Sequence, residues 1–114
     1  MATFDELREQ AEQEIRGQVR SPAPDDTDYF VEQAADLLAA IRLWADSQQR
    51  TDDDVRSVVG SANATMLKNI ATELGQGGGD DALEASRRLE GIAYAASGRL
   101  SETFEFARMG LQPS

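Results

Sequence analysis

Apolar residues recur along this chain at intervals of three and four, the period that lines one side of an α-helix. Phe4, Leu7, Ala11, Ile15 and Val19 form the first such stripe. Thr3-Phe4-Asp5-Glu6 stands at its head as a capping box, with a hydroxyl at the N-cap and a carboxylate three residues on. The spacing predicts helix 1 over about 4–19. Ser21-Pro22-Ala23-Pro24-Asp25-Asp26 breaks the pattern, because proline fixes φ and lacks a donor, so 20–27 reads as a loop. Phe30, Ala34, Leu37, Leu38, Ile41, Trp44 and Ala45 give helix 2 over 28–48, with Trp44 on its core side. Ala35, Ala39 and Leu43 fall on the opposite side.

A second capping box, Thr51-Asp52-Asp53-Asp54, precedes Val55, Val58, Val59, Ala62, Met66, Ile70 and Leu74. This predicts helix 3 over 52–74 with Gly75 as a left-handed stop, then a glycine-rich loop over 75–80. Asp80 reads as the cap of helix 4, over 81–109. Its stripe is Leu89, Ile92, Ala93, Ala96, Leu100, Phe104 and Ala107, and the pattern allows either one helix ending at Gly110 or a break near Gly98 with a restart at Ser101. No alternating run bounded by turn residues suggests a strand. The expected class is all-α, an antiparallel four-helix bundle or two packed helical hairpins, formed by residues 1–114 as one domain. The lengthening of the helices along the chain predicts that helices 3 and 4 overhang helix 1.

Composition narrows the chemistry. The 114 residues are enough for one core. Cysteine and histidine are both missing, which excludes thiol chemistry, thiolate metal sites and the usual neutral-pH general base. The serines on the predicted helices therefore have no histidine to activate them, and Lys68, the single lysine, reads as a solvated surface residue. No catalytic, cofactor-binding or metal-ligating residue is assigned. The formal net charge of −10 disfavours direct binding to nucleic acid, where like charges repel. No apolar run approaches the roughly 18 residues of a membrane span, and the charged start of the chain lacks an apolar signal segment. A cytoplasmic location is expected, or host cytoplasm or a virion interior for a phage-encoded chain.

The carboxylate pairs are the candidates for a metal site. Glu6, Glu9 and Glu12 make overlapping Glu-x-x-Glu steps, and Glu32 and Asp36 lie one turn apart. At about 100° per residue these side chains point away from the apolar stripes, and Asp36 lies roughly opposite Leu38. They diverge into water, whereas a metal cage needs them to converge.

Surplus apolar surface on helix 4 is the stronger signal. Gly91, Tyr94, Ala95 and Gly98 share one side away from the main stripe, with Phe106 and Met109 roughly continuing it. Phe104 and Phe106 are two apart and cannot both face one core. Together with Leu43 of helix 2, this strip is the expected partner-binding surface. The leading expectation is a non-catalytic protein–protein interaction protein, an adaptor, assembly factor or inhibitor in the style of phage and mobile-element proteins. It would dock an apolar helix face inside an acidic rim, with a protein partner and self-association into a homo-oligomer. One alternative is an acidic mimic of nucleic acid that blocks a basic channel, using Asp25, Asp26, Asp28 and Asp52 to Asp54. Another is a magnesium-dependent all-α nucleotide pyrophosphohydrolase using Glu9, Glu12, Glu32 and Asp36. In that family the acidic spacing is Glu-x-x-Asp, from which the pair at 32 and 36 departs.

Overall fold

The computed structural model describes residues 3–19, 27–61, 64–77, 79–94 and 97–111, with side chains of the last stretch from residue 102. The described residues form an all-α bundle of six helices: α1 (Phe4–Gln18), α2 (Thr27–Ser47), α3 (Asp52–Ser61), α4 (Ala64–Gln76), α5 (Asp80–Ala93) and α6 (Ser97–Leu111). One continuous cluster of buried side chains draws on all six.

Both threonines cap their helices, and at Thr51 the capping box is reciprocal. The Thr3 hydroxyl accepts from the Glu6 amide at 3.2 Å. The Thr51 hydroxyl accepts from the Asp54 amide at 3.3 Å, and the Thr51 amide donates back to the Asp54 carboxylate at 3.0 Å. α5 starts differently from the expectation. Gly79 occupies the N-cap at φ 94, and Asp80 is the first helical residue. Gly75 likewise ends nothing, since α4 continues through Gln76.

The expected helix 3 is two helices with different neighbours: α3 packs on α2 and α6, α4 mainly on α5. The change of direction resets the helical phase. Leu67 and Ala71 therefore join Ile70 and Leu74 in the core while Met66 is exposed, and Ala62 lies outside the described residues. The expected helix 4 also divides. α5 ends at Tyr94, three residues before α6 begins, so the break comes earlier than Gly98, which lies in the first turn of α6. α5 packs on α4 and α2, and α6 on α1, α2 and α3.

α2 is the longest helix and touches the other five, so the expected overhang of helices 3 and 4 does not arise. Every residue from Ala34 to Ile41 is buried. Ala35, Ala39 and Leu43, expected on an outer side, are buried as well, and Trp44 is buried as expected. The physical reason is that α2 has no outer side along this stretch: its small alanines let neighbours approach from several directions. α6 comes closest. A Cβ added to Gly110 would lie 2.8 Å from Ile15 Cγ1 and 3.2 Å from Leu38 Cδ2.

α2 ends in a turn that no glycine announces. The Arg50 amide donates to the Ala45 carbonyl at 2.8 Å and the Gln49 amide to that of Asp46 at 3.3 Å, the paired bonds of a Schellman motif. Gln49 takes the left-handed position with φ 56, normally filled by glycine. An L side chain there costs about 1 kcal/mol.

Two stability changes of opposite sign follow. Gly110→Ala overpacks the contact with Ile15 and Leu38 and lowers stability by about 1–3 kcal/mol. Gln49→Gly relieves the turn and raises it by about 0.5–1 kcal/mol. Urea unfolding curves of the two variants beside the parent chain check both signs.

Candidate functional site

Three places bring polar or exposed apolar chemistry together. The first is internal. Asp36 on α2 is buried, against the expectation that it diverges into water, because α1 and α5 close over that side of α2. The Arg8 Nε of α1 donates to Asp36 Oδ1, and Arg88 Nη1 of α5 donates to Oδ2 at 3.3 Å. Arg88 also donates from Nε to Glu84 at 3.0 Å. That bond, followed by the Asp36 charge, holds the Arg88 guanidinium above its ordinary pKa. Two cations thus neutralise one buried anion and link three helices. A carboxylate occupied in this way is a structural clamp. The other carboxylates weighed beside it do not join it: Glu9 and Glu32 are exposed, and Glu12 pairs with Arg16 at 3.3 Å. Among the described residues no group of three or more acidic side chains is close enough to hold a metal ion.

The second place is the outer side of α5. Ala85, Ser86, Leu89, Ile92 and Ala93 face inward, and the Ser86 hydroxyl donates to the Ala71 carbonyl of α4 at 2.6 Å. Spacings of four, three and four put Leu83, Arg87, Glu90 and Tyr94 outward. Tyr94 is 70% exposed and Leu83 44%. The Lys68 ammonium stands 4.3 Å from the Tyr94 ring centroid, a cation–π contact that fixes the ring against α4. Lys68 is accordingly half-buried, where a solvated lysine was expected. Gly91 is exposed one turn before Tyr94, and a Cβ added there would meet nothing within 4 Å.

The structure divides the expected partner-binding strip. Gly91 and Tyr94 lie together on exposed α5, and Ala95 lies outside the described residues. Gly98 falls on α6, as do Phe106 and Met109, both half-buried. Phe106 stacks on Phe30 of α2 with ring centroids 5.9 Å apart and planes within 1°. Phe104 is fully buried, so the two phenylalanines are accommodated by neighbours on two sides of α6. Leu43 is 7% exposed and belongs to the core. Of the acids weighed as a nucleic-acid mimic, Asp28 pairs with Arg16 at 2.8 Å, Asp54 caps α3, and Asp25 and Asp26 lie outside the described residues.

The third place escaped sequence reasoning. A groove of about 530 Å³ opens where α1, the end of α2, the start of α3 and the end of α6 converge. Leu7, Ala45, Val55 and Leu111 supply its apolar lining, and Arg42, Arg50 and Arg56 its cations. Arg42 is satisfied by a two-pronged contact with Glu14, at 2.7 and 3.4 Å. Arg50 instead sits over the Trp44 ring, 5.1 Å from its centroid. Trp44 is buried, as its place on the helix 2 stripe predicts, and nothing local marks the left-handed turn that delivers Arg50 to the groove.

No protein-family model, curated protein or solved structure matches the chain. No helix among the described residues is long and apolar enough to cross a membrane.

The internal clamp makes a prediction about stability. Arg8→Met removes one cation and leaves Asp36 with half of its partners, costing about 1–3 kcal/mol, since Arg88 is partly exposed and still reaches the carboxylate. The double variant Arg8→Met, Asp36→Leu removes the stranded anion and recovers most of that loss. Denaturant midpoints of the two variants test the order.

Proposed function

We propose that the protein is a non-catalytic interaction domain that docks a protein partner, or a second copy of itself, on the exposed side of α5. The observation that carries this reading is Tyr94: it is 70% exposed, with the Lys68 ammonium 4.3 Å from its ring centroid. Tyrosine is enriched among residues that dominate binding energy, and the contact with Lys68 favours one placement of the ring by about 0.5–1 kcal/mol. Leu83 is a second exposed apolar residue on the same side, three turns away and separated from Tyr94 by Arg87 and Glu90, and Gly91 leaves room for a close approach. Asp80, Asp81 and Glu90 are exposed along the same helix and give the patch an acidic border. Partner choice and orientation would then come from that border, and affinity from Tyr94 and Leu83.

Tyr94→Ser is the discriminating variant, because the one described contact it removes, with Lys68, is worth about 0.5–1 kcal/mol at an exposed position and leaves the fold intact. The expected result is a complex, with itself or with a co-purifying protein, that the parent chain forms and Tyr94→Ser does not, with its helical signal retained. Association that is indifferent to Tyr94→Ser, measured by mass in solution, overturns the reading.

A further inference from the structure

We propose that two copies of the chain pair through the exposed side of α5, antiparallel about a two-fold axis, with Arg87 of each copy against Glu90 of the other. This rests on the docking surface proposed above and names its occupant as a second copy of the chain.

The spacing along α5 supplies a seam. Leu83, Arg87, Glu90 and Tyr94 are all exposed and follow one another at intervals of four, three and four. An average step of about 3.5 residues keeps such a row facing one partner helix along its length. The other side of α5, through Ala85, Leu89 and Ile92, already holds the helix in the bundle.

The order of the residues selects the occupant. Intervals of four, three and four read the same in both directions, so a second α5 running the opposite way meets the first position for position. With the axis midway between Arg87 and Glu90, Leu83 lies opposite Tyr94 of the second copy, and Arg87 opposite its Glu90. Two-fold symmetry makes each pairing twice. Apolar side chains then meet apolar ones and cations meet anions at every level. A parallel pairing in the same register sets Arg87 against Arg87 and Glu90 against Glu90, which like-charge repulsion opposes. A face shaped for an unrelated protein has no need to be complementary to its own reverse.

The surroundings permit the contact. Among the described residues neither Arg87 nor Glu90 forms an ion pair, so each can reach across the seam without giving one up. Gly91, next to Glu90, has no side chain to hold the two helices apart near the axis. Each copy carries a net charge of −10, but at physiological salt that general repulsion is screened beyond about 8 Å, so the pairs in contact decide. The seam is one side of a 14-residue helix, which places the dimer in the small, reversible class of interfaces.

Sedimentation equilibrium of the full chain at physiological salt, up to about 1 mM, tests the pairing. The parent chain is expected to form a dimer and nothing larger, because a two-fold contact is closed. Arg87→Glu and Glu90→Arg each put like charges opposite one another at two places in the seam. Each is expected to weaken the dimer about tenfold or more. Mixing the two variants in equal amounts makes both charge pairs complementary again and is expected to restore a dimer of parent strength, which also requires both to be folded. A parent chain that stays monomeric, a single variant that dimerises like the parent, or a mixture as weak as its components overturns the proposal. If the helical circular-dichroism signal of a single variant falls, the doubly exchanged chain Arg87→Glu, Glu90→Arg takes its place; a dimer of parent strength supports the pairing and a monomer overturns it.

Tyr94→Ser separates this proposal from the reading it rests on. A dimer lost in Tyr94→Ser but untouched by Arg87→Glu keeps α5 as the docking surface and overturns the antiparallel register. A monomeric parent chain whose complex with a different protein is lost in Tyr94→Ser overturns the second copy as occupant. A dimer indifferent to both variants overturns the register and the docking surface together.

Discussion

The rest of the architecture depends on a helix that must be covered on every side. From Ala34 to Ile41, α2 offers water no exposed residue, so no single neighbouring helix can satisfy it. Five helices close around it, and their lengths and breaks follow from that task. The break between α5 and α6 changes the neighbours covered, from α4 and α2 to α1, α2 and α3. The one charge buried in this stretch, Asp36, adds direction to an otherwise nonspecific apolar surface. It is satisfied only when Arg8 and Arg88 arrive together, which fixes how α1 and α5 lie against α2. None of the buried side-chain polar atoms among the described residues is left without a hydrogen bond.

The helical class and most helix limits were legible because they rest on local chemistry. The capping boxes at Thr3 and Thr51 involve residues three apart, and the α1 stripe involves residues three or four apart. What was not legible was set by distant partners. Periodicity assumes one covered side per helix; that assumption put Ala35, Ala39 and Leu43 outward and sent Asp36 to solvent. The error has one cause, the all-round burial of α2, and a run of small residues interrupted by a single aspartate resembles a weak amphipathic helix. The breaks between α3 and α4 and at Tyr94 were missed or misplaced for a related reason. Each changes which neighbours a segment meets, and nothing in the segment itself records them.

The exposed side of α5 was only partly readable. Tyr94 and Gly91 share a side at helical spacing, and the structure keeps them exposed; Phe106 belongs to another helix, whose position beside Phe30 depends on a contact between residues more than seventy apart. The groove was less readable still. Its arginines and carboxylates come from four segments, and the turn that aims Arg50 relies on a glutamine in a conformation that sequence rules reserve for glycine. Solvated charge and converging charge look alike until the fold places them.

The close approach of α6 at Gly110 has a consequence for how the chain is made. The surfaces it covers, around Ile15 and Leu38, are synthesised before α6, whose Gly110 follows Leu38 by some seventy residues. At roughly 5–20 residues per second the delay between Leu38 and Gly110 is on the order of ten seconds. For that interval α2, whose residues from Ala34 to Ile41 are all buried in the folded protein, is present without one of its covers. The adjacent pairs α1–α2 and α4–α5 can form by local contacts while α6 is still absent. The nascent protein therefore passes through a stage in which part of its core is open, and a chaperone that recognises apolar helices would meet it there.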